Sequence, residues 1–525
     1  MTVSALKRVS IGAALLVALS AFLLIAGWNI ATPGLYYDEL LFVDAALGGP
    51  NGIFKHISFG SLPVMLMPYI GALKAWLYYP VFQLFGVSAV SVRWPVVLIG
   101  ALTLWFNYRV ALHAFSRPVA LAFVVMAAVE PSTLFHTRLD WGPTTLMMLF
   151  RSLLLLSAVL WIKTREPKYL VAALAVVVAG VFDKLNFLWL CPAVALALVV
   201  VYPRQLIDFC RQHSKFSGAM AAVTVLLGTG LLTYMRTNVP LDSEIGNFDW
   251  QQRWNEVWSL ARYTLSGTGV YAVTTTALNT VAIATPHLQI LTLALLAAAG
   301  LAARYYRSID WQMTAFFAIF IMVVLTGIFA TRQATGPHHL ATLAPLWLLL
   351  LAISLGQPFA DSRRQPVLMA LAALVVVAVC VSSLRVDVRN LQGFANTPGA
   401  RWDPATTALT VEISRHEGMP VVTTDWGSGS IISALLNGER QVLDYWPHFT
   451  GPLDAGLDVV YRNLLASGTA LFVLPAAGTG AFPDNRDNFF ATASERNWQL
   501  QLLSTINRND GTALYELYSV RPASP

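Results

Sequence analysis

The sequence predicts a polytopic α-helical membrane protein of about 11 spans with a C-terminal extracytoplasmic α/β domain. Three observations carry that prediction. Of 525 residues, 56% are hydrophobic and only 12% charged, about half the charge of an ordinary soluble domain. Apolar runs near the ~20 residues needed to cross a bilayer recur along the first three quarters of the chain. From residue 385 those runs stop, and short strand and helix patterns alternate.

The apolar runs, in order, are 9–30, 89–112, 118–135, 144–162, 169–182, 185–201, 216–235, 287–303, 311–330, 338–356 and 366–384. The first is too long for the apolar core of a secretion signal and lacks a small-residue cleavage site, so it reads as a retained span. Two further stretches are ambiguous. Residues 61–85 are apolar but broken by Pro63, Pro68 and Pro80 and hold Lys74; residues 270–285 are rich in Thr. Charge decides between the counts. With Lys7 and Arg8 inside and neither ambiguous stretch spanning, the clusters 109–117, 163–168, 204–215, 304–307 and 363–364 all fall on the cytoplasmic side, as the positive-inside rule demands. The net charge of +6 therefore reflects topology, and no nucleic-acid partner is expected. Cys191, Cys210 and Cys380 show no metal-ligand spacing.

This topology divides the chain into a membrane unit, 1–384, and an outer domain, 385–525. Within the membrane unit, 31–88 is a first outer loop with interfacial helices and 237–286 a second outer loop. Trp250, Trp254 and Trp258 recur every four residues in the second loop, the pattern of an amphipathic helix on the interface. In the outer domain, strands are expected at 419–425, 440–445, 469–475, 500–506 and 513–520, and helices at 428–437, 454–467 and 486–497. Asn509-Asp510-Gly511 is a hairpin signal between the last two strands. Asp425-Trp426-Gly427-Ser428-Gly429 lies at a strand end, where α/β domains bind ligands, but an ordinary strand-to-helix turn explains it better.

The same topology collects the unusual polar residues on one side: Asp38, Glu39, Lys74, Arg93, Arg138, Asp140, Asp183, Lys184, Arg332, His338 and His339. Each has two readings. Tyr37-Asp38-Glu39 is a carboxylate pair at the mouth of the first span, suited equally to catalysis and to capping a helix. Arg138-Leu139-Asp140 links two spans, where Asp140 either pairs with Arg138 and caps the next helix or faces a site. Asp183-Lys184 is a surface ion pair or, in so short a connection, a charge pair at the membrane boundary. His338-His339 follows Arg332 in the last outer turn; adjacent histidines diverge on a helix, which favours hydrogen bonding over metal binding.

In their order along about residues 1–360, these motifs resemble the GT-C membrane glycosyltransferases, which include dolichyl-phosphate-mannose protein mannosyltransferases and lipid A aminoarabinose transferases. The resemblance rests on Tyr37-Asp38-Glu39 after the first span, a Pro-rich aromatic segment ending in Phe85-Gly86, then Arg93-Trp94-Pro95, Arg138-Leu139-Asp140, Gly180 with Lys184, and Arg332 to His339. Two motifs depart from the family: Gly71-Ala72-Leu73-Lys74 replaces a Lys-Pro-Pro or His-Pro-Pro, and His338-His339 stands where many members have Arg-Tyr. The resemblance implies transfer of a sugar from a polyprenyl-phosphate donor to a lipid, glycan or protein acceptor at the outer face of a bacterial inner membrane. Asp38 would be the base, with Asp140 and Glu39 beside it as orienting carboxylates. Lys184, Arg138, Lys74, Arg332, His338 and His339 would serve the lipid phosphate. No cofactor is expected; a divalent metal near Asp38 and Asp140 is the less favoured option. The competing classes are a lipid or glycan flippase without glycosyl-transfer chemistry and a catalytically inert scaffold.

Overall fold

A computed structural model describes residues 3–47, 56–139, 141–239, 249–269, 280–331, 336–361, 363, 365–396, 402–450, 461, 463–465 and 468–522. Helices occupy all eleven expected positions. Among the described residues, seven are long and apolar enough to cross a membrane, or up to nine if each of two bent pairs counts as one span. The two remaining positions hold α1 (Val3–Gly27), whose described apolar part is Gly12–Gly27, and the 17-residue α8 (Pro167–Asp183). The bent pairs are α5 (Arg117–Ala127) with α6 (Pro131–Arg138), at 56°, and Leu185–Val201 with Pro203–Gln212, at 96°. In both, a proline opens the second helix, where its missing N–H costs nothing and its fixed φ suits the first turn.

No described helix of the first loop is long and apolar enough to cross a membrane. The loop's opening helix is α2 (Tyr37–Leu47), buried from Glu39 to Ala46. A small antiparallel sheet follows, β1 (Ile57–Phe59), β2 (Leu62–Met67) and β3 (Ile70–Gly71), then α3 (Leu73–Phe85). Pro63 lies in β2 and Pro68 between β2 and β3, which is why the apolar run 61–85 divides into strands and a short helix. Helix α3 leaves Leu77, Tyr79, Leu84 and Phe85 exposed, an apolar face suited to the membrane interface. The other ambiguous stretch, 270–285, lies mostly outside the described residues, as does the expected helix 454–467. Helix α4 (Ala89–Ala114) starts at a capping box formed by Ser88 and Ser91. Helix α12 (Trp250–Ser266) displays Trp250, Trp254 and Trp258 on its exposed side, as the four-residue spacing requires.

The last long helix runs Pro366–Asn396, past the expected end at 384. Charges at Arg385, Asp387 and Arg389 end the apolar run but not the helix. Ser383, Val386, Asp387, Asn390 and Phe394 continue one buried stripe at helical spacing. The C-terminal sheet is β4 (Val421–Thr423), β5 (Val442–Asp444), β6 (Ala470–Pro475), β7 (Gln499–Asn507) and β8 (Ala513–Arg521), in the order β5-β4-β6-β8-β7. The β4 pairings are parallel, and the β6–β8 and β7–β8 pairings antiparallel. An additional helix, Thr406–Ser414, precedes it.

Helix α2 joins the two parts. It packs on the sheet-domain helix Ser428–Leu435. Tyr36 meets Trp402 edge-on at 5.2 Å, and the Tyr37 and Trp426 rings lie 4.6 Å apart. Gly34 N–H donates to Trp402 O at 2.9 Å, and a Cβ on Gly34 would lie 2.3 Å from the Asp403 carbonyl carbon. Only glycine fits that approach.

Candidate active site

A cavity of about 580 Å³ opens beside the first turn of α2. Tyr37 and Asp38 form one wall, Trp141 and Gly142 a second, Lys184 to Asn186 a third, and His338 and His339 a fourth. Leu188, Met235, Val239, Gly327 and Ala330 continue the lining as an apolar flank. Asp38, Lys184, His338 and His339 are therefore brought to one space from positions up to 301 residues apart (339 − 38).

Asp38 is held by its neighbours. Glu39 Oε2 accepts the Tyr36 N–H at 2.7 Å, and Glu39 also receives Arg93 Nε at 2.7 Å and Arg93 Nη2 at 2.8 Å. Arg93 spends its other hydrogens on the carbonyls of Ile30, Pro33 and Gly34. Both side chains are fully buried. Glu39, expected beside Asp38 as an orienting carboxylate, instead clamps the entry to α2: both carboxylate oxygens are engaged by Arg93 and the Tyr36 N–H, and the residue does not line the cavity. Asp38, one residue earlier, lines it. Burial raises the Asp38 pKa, opposed by hydrogen bonding from Tyr36 and by the Lys184 charge, with Trp141 and Lys74 adding to that opposition.

Lys184 is positioned by backbone pairing. Its residue bridges Ile70 of β3 in antiparallel fashion, and Leu185 N–H donates to Tyr69 O at 3.0 Å. Gly71 makes the approach possible, because a Cβ there would stand 2.1 Å from Phe182 O. Gly180 plays the same part against the Phe187 ring, at 2.7 Å. Burial depresses the Lys184 ammonium to about 8, while Asp38 and Asp183 pull it back up. Asp38 and Lys184 thus favour each other's charged form across the cavity.

The other expected phosphate ligands divide. Arg138 is buried and gives its hydrogens to four carbonyls at the end of α1 and beyond: Ala26 at 2.6 Å, Trp28 at 2.7 Å, Asn29 at 2.7 Å and Thr32 at 2.8 Å. This corrects its expected phosphate role, since the guanidinium is committed to caps of the α1 terminus. Lys74 is also buried. Its ammonium donates to Gly142 O and sits 4.1 Å over the Phe42 ring, steadying the Trp141–Gly142 wall. His338 and His339 have ring centroids 4.1 Å apart; His338 lies 5.4 Å from Trp141 and His339 6.2 Å from Trp189. His339 Nδ1 is 3.2 Å from Gly336 O. Asp140 and Arg332 lie outside the described residues. Among the described residues no group of three or more His, Cys, Asp and Glu is arranged to hold a metal.

Sequence reasoning passed over Trp141, Trp189 and Tyr69 as lining residues and gave Arg93, noted as an outer charge and as the start of an Arg-x-Pro motif, no partner. Trp141 directly follows the Asp140 motif, and Arg93 opens an Arg-x-Pro, so the signals were local and present.

A family model described as dolichyl-phosphate-mannose-protein mannosyltransferase matches residues 71–237. Among solved structures, the chain is similar to ArnT from Cupriavidus metallidurans in the apo state. Identity is 12%, coverage 99% of this chain and 98% of that one, and TM-score 0.59. ArnT bound to undecaprenyl phosphate gives 13%, the same coverage and 0.59. The archaeal oligosaccharyltransferase AglB from Archaeoglobus fulgidus, in complex with an inhibitory peptide and a dolichol-phosphate, is 13% identical at TM-score 0.52, over 97% of this chain and 74% of that one. No curated protein sequence matches. At such identities the shared property is the fold.

Proposed function

We propose that this chain, whose fold is that of the GT-C membrane glycosyltransferases, moves a sugar from a polyprenyl-phosphate donor to an acceptor hydroxyl with inversion at the anomeric carbon. The observation that carries the reading is the single cavity in which Asp38 faces Lys184. An acceptor hydroxyl is a weak nucleophile until a base within hydrogen-bond reach takes its proton. In this scheme Asp38 accepts that proton as the acceptor oxygen bonds to the anomeric carbon. The bond from that carbon to the phosphate oxygen breaks, and its electron pair leaves with polyprenyl phosphate. Burial makes Asp38 a stronger base than a free aspartate, while Lys184 keeps it ionised.

The leaving phosphate needs positive charge rather than a proton, and Lys184 supplies it as a point charge. The apolar flank at Leu188, Met235, Val239 and Ala330 suits the first isoprene units. ArnT with undecaprenyl phosphate supports a donor of this class. The reaction belongs, in this reading, at the outer face of a bacterial inner membrane, with the N-terminus cytoplasmic and the sheet domain beside the acceptor. Asp140 is assigned the acceptor-orienting role, and His338 and His339, which line the same cavity, a place beside the lipid phosphate.

The test is to incubate the purified protein with a panel of polyprenyl-phosphate sugars and candidate acceptors and to assay polyprenyl phosphate. Conversion of one donor class is the expected result. Movement of intact donor across proteoliposomes, with none converted, would instead make the chain a flippase.

A further inference from the structure

Away from the cavity, the break between α5 and α6 gathers a second set of buried acceptors. Glu130 caps α6 from inside the protein. Its Oε1 accepts Ser132 N–H at 3.2 Å, and its Oε2 accepts Thr133 N–H and the Thr133 hydroxyl, each at 2.6 Å. Gly267, at φ 65°, ends α12. A Cβ on Gly267 would lie 2.2 Å from Pro131 Cβ and 3.3 Å from Val386 Cγ1. Three segments therefore meet at this glycine, and the neighbours of the two touching residues are Glu130 and Asp387. Polar contacts tie them together: the Ser132 hydroxyl donates to Thr264 O, and Asn390 Nδ2 donates to Gly267 O at 3.0 Å.

What is unusual is the imbalance of donors. Glu130, Asp387, Asn390 and Thr264 are each at least 95% buried. Both oxygens of Asp387, the Asn390 Oδ1 and the Thr264 Oγ1 receive no hydrogen bond from any described residue. The charged group acting on Asp387 is another carboxylate, Glu130. Arg385 and Arg389 are exposed, on the other face of the same helix. The carbonyl end of α12 adds further negative potential. Two carboxylates and a helix C-terminus, buried with no described cation, call for positive charge.

We propose that Asp387 and Glu130, with Asn390 Oδ1, Thr264 Oγ1 and carbonyls at the end of α12, bind a divalent hard cation. The donors are all oxygen, the set that Ca²⁺ and Mg²⁺ take and that thiophilic metals do not. A charge of +2 neutralises both carboxylates. Asp387 and Asn390 are three residues apart and so share one helix face, which lets both reach one ion. The ion ties α6, α12 and the Pro366–Asn396 helix at a bend where backbone pairing is interrupted, the kind of place where membrane proteins hold ions. This site is separate from the Asp38 cavity and does not depend on the proposed transfer reaction.

The experiment uses the full-length protein in detergent, stripped with EDTA and titrated with CaCl₂ or MgCl₂, with NaCl as control. Thermal unfolding and metal content are both read. Expected are a saturable rise in Tm and one divalent ion per chain. Asp38→Asn should keep both. Asp387→Asn should lose both, and Asn390→Ala, a milder change should the first variant fail to fold, should weaken binding about tenfold or more. No bound divalent ion, or equal binding in Asn390→Ala, would overturn the proposal. So would a Tm that responds to acid but not to metal, because a proton shared by the carboxyls would then account for the pair.

Discussion

Lys184 offers a quantitative prediction because its ammonium sits near a physiological pH. Burial lowers it to about 8, whereas a free lysine titrates near ~10.4. If the charged form binds the donor phosphate, the apparent donor dissociation constant scales as 1 + 10^(pH − 8). That factor is about 1.1 at pH 7 and about 11 at pH 9, so kcat/KM for the donor should fall about tenfold between them. The acid limb belongs to Asp38, whose pKa burial raises. Activity should thus rise through that limb, level near neutrality and fall above 8. The assay is initial-rate kinetics at subsaturating donor across pH 5 to 10. Lys184→Arg is the control: a guanidinium stays charged throughout, so the alkaline limb should vanish even if the rate is lower. A profile flat from pH 7 to 9.5, or an alkaline limb unchanged in Lys184→Arg, would refute the assignment of the phosphate charge to Lys184.

Three further outcomes follow from the surroundings of the site. Glu39→Ala strands the buried Arg93 charge and should cost ~3–5 kcal/mol, seen as lost Tm and yield, while the folded fraction retains far more activity than an Asp38 variant. Gly71→Ala drives a Cβ into Phe182 O; overpacking of ~1–3 kcal/mol should open the Ile70–Lys184 bridge and raise the donor KM more than it lowers kcat. Asp44, buried on α2, has its pKa pushed well up by burial and by Asp444 of the sheet domain, with the Ser430 hydroxyl opposing. A carboxyl raised on folding favours the folded state fully only below its unfolded pKa, ~3.9, and that contribution is lost as pH climbs through the raised native value. Asp44→Asn should therefore flatten the decline of Tm with rising pH.

How much of this was legible depended on distance along the chain. Apolar runs and period-two strands are local, so helices appear at all eleven expected apolar positions and the sheet strands fall within a few residues of their expected places. Helix ends were harder: Arg385, Asp387 and Arg389 interrupt composition while Val386, Asn390 and Phe394 keep the buried stripe going. The site was legible as a set, because charge bias alone grouped Asp38, Lys184, His338 and His339. Roles within the set were not. Glu39 could be set apart from Asp38 by its place one residue on, but its pairing with Arg93, 54 residues on, is visible only in the fold. Arg138 reads as a phosphate ligand until the carbonyls of residues 26–32 are seen around it. Partner identity across a fold is a long-range property that no local pattern encodes.

The central claim is that the Asp38 carboxylate takes the acceptor proton in the cavity it shares with Lys184. Its most direct test is Asp38→Asn, assayed by donor binding and by single-turnover sugar transfer on the same preparation. The account predicts donor affinity within a few-fold of the unmodified protein and transfer reduced by about 10²-fold or more, the contribution of a general base. Transfer at a near-normal rate in Asp38→Asn, with donor still bound, would contradict it.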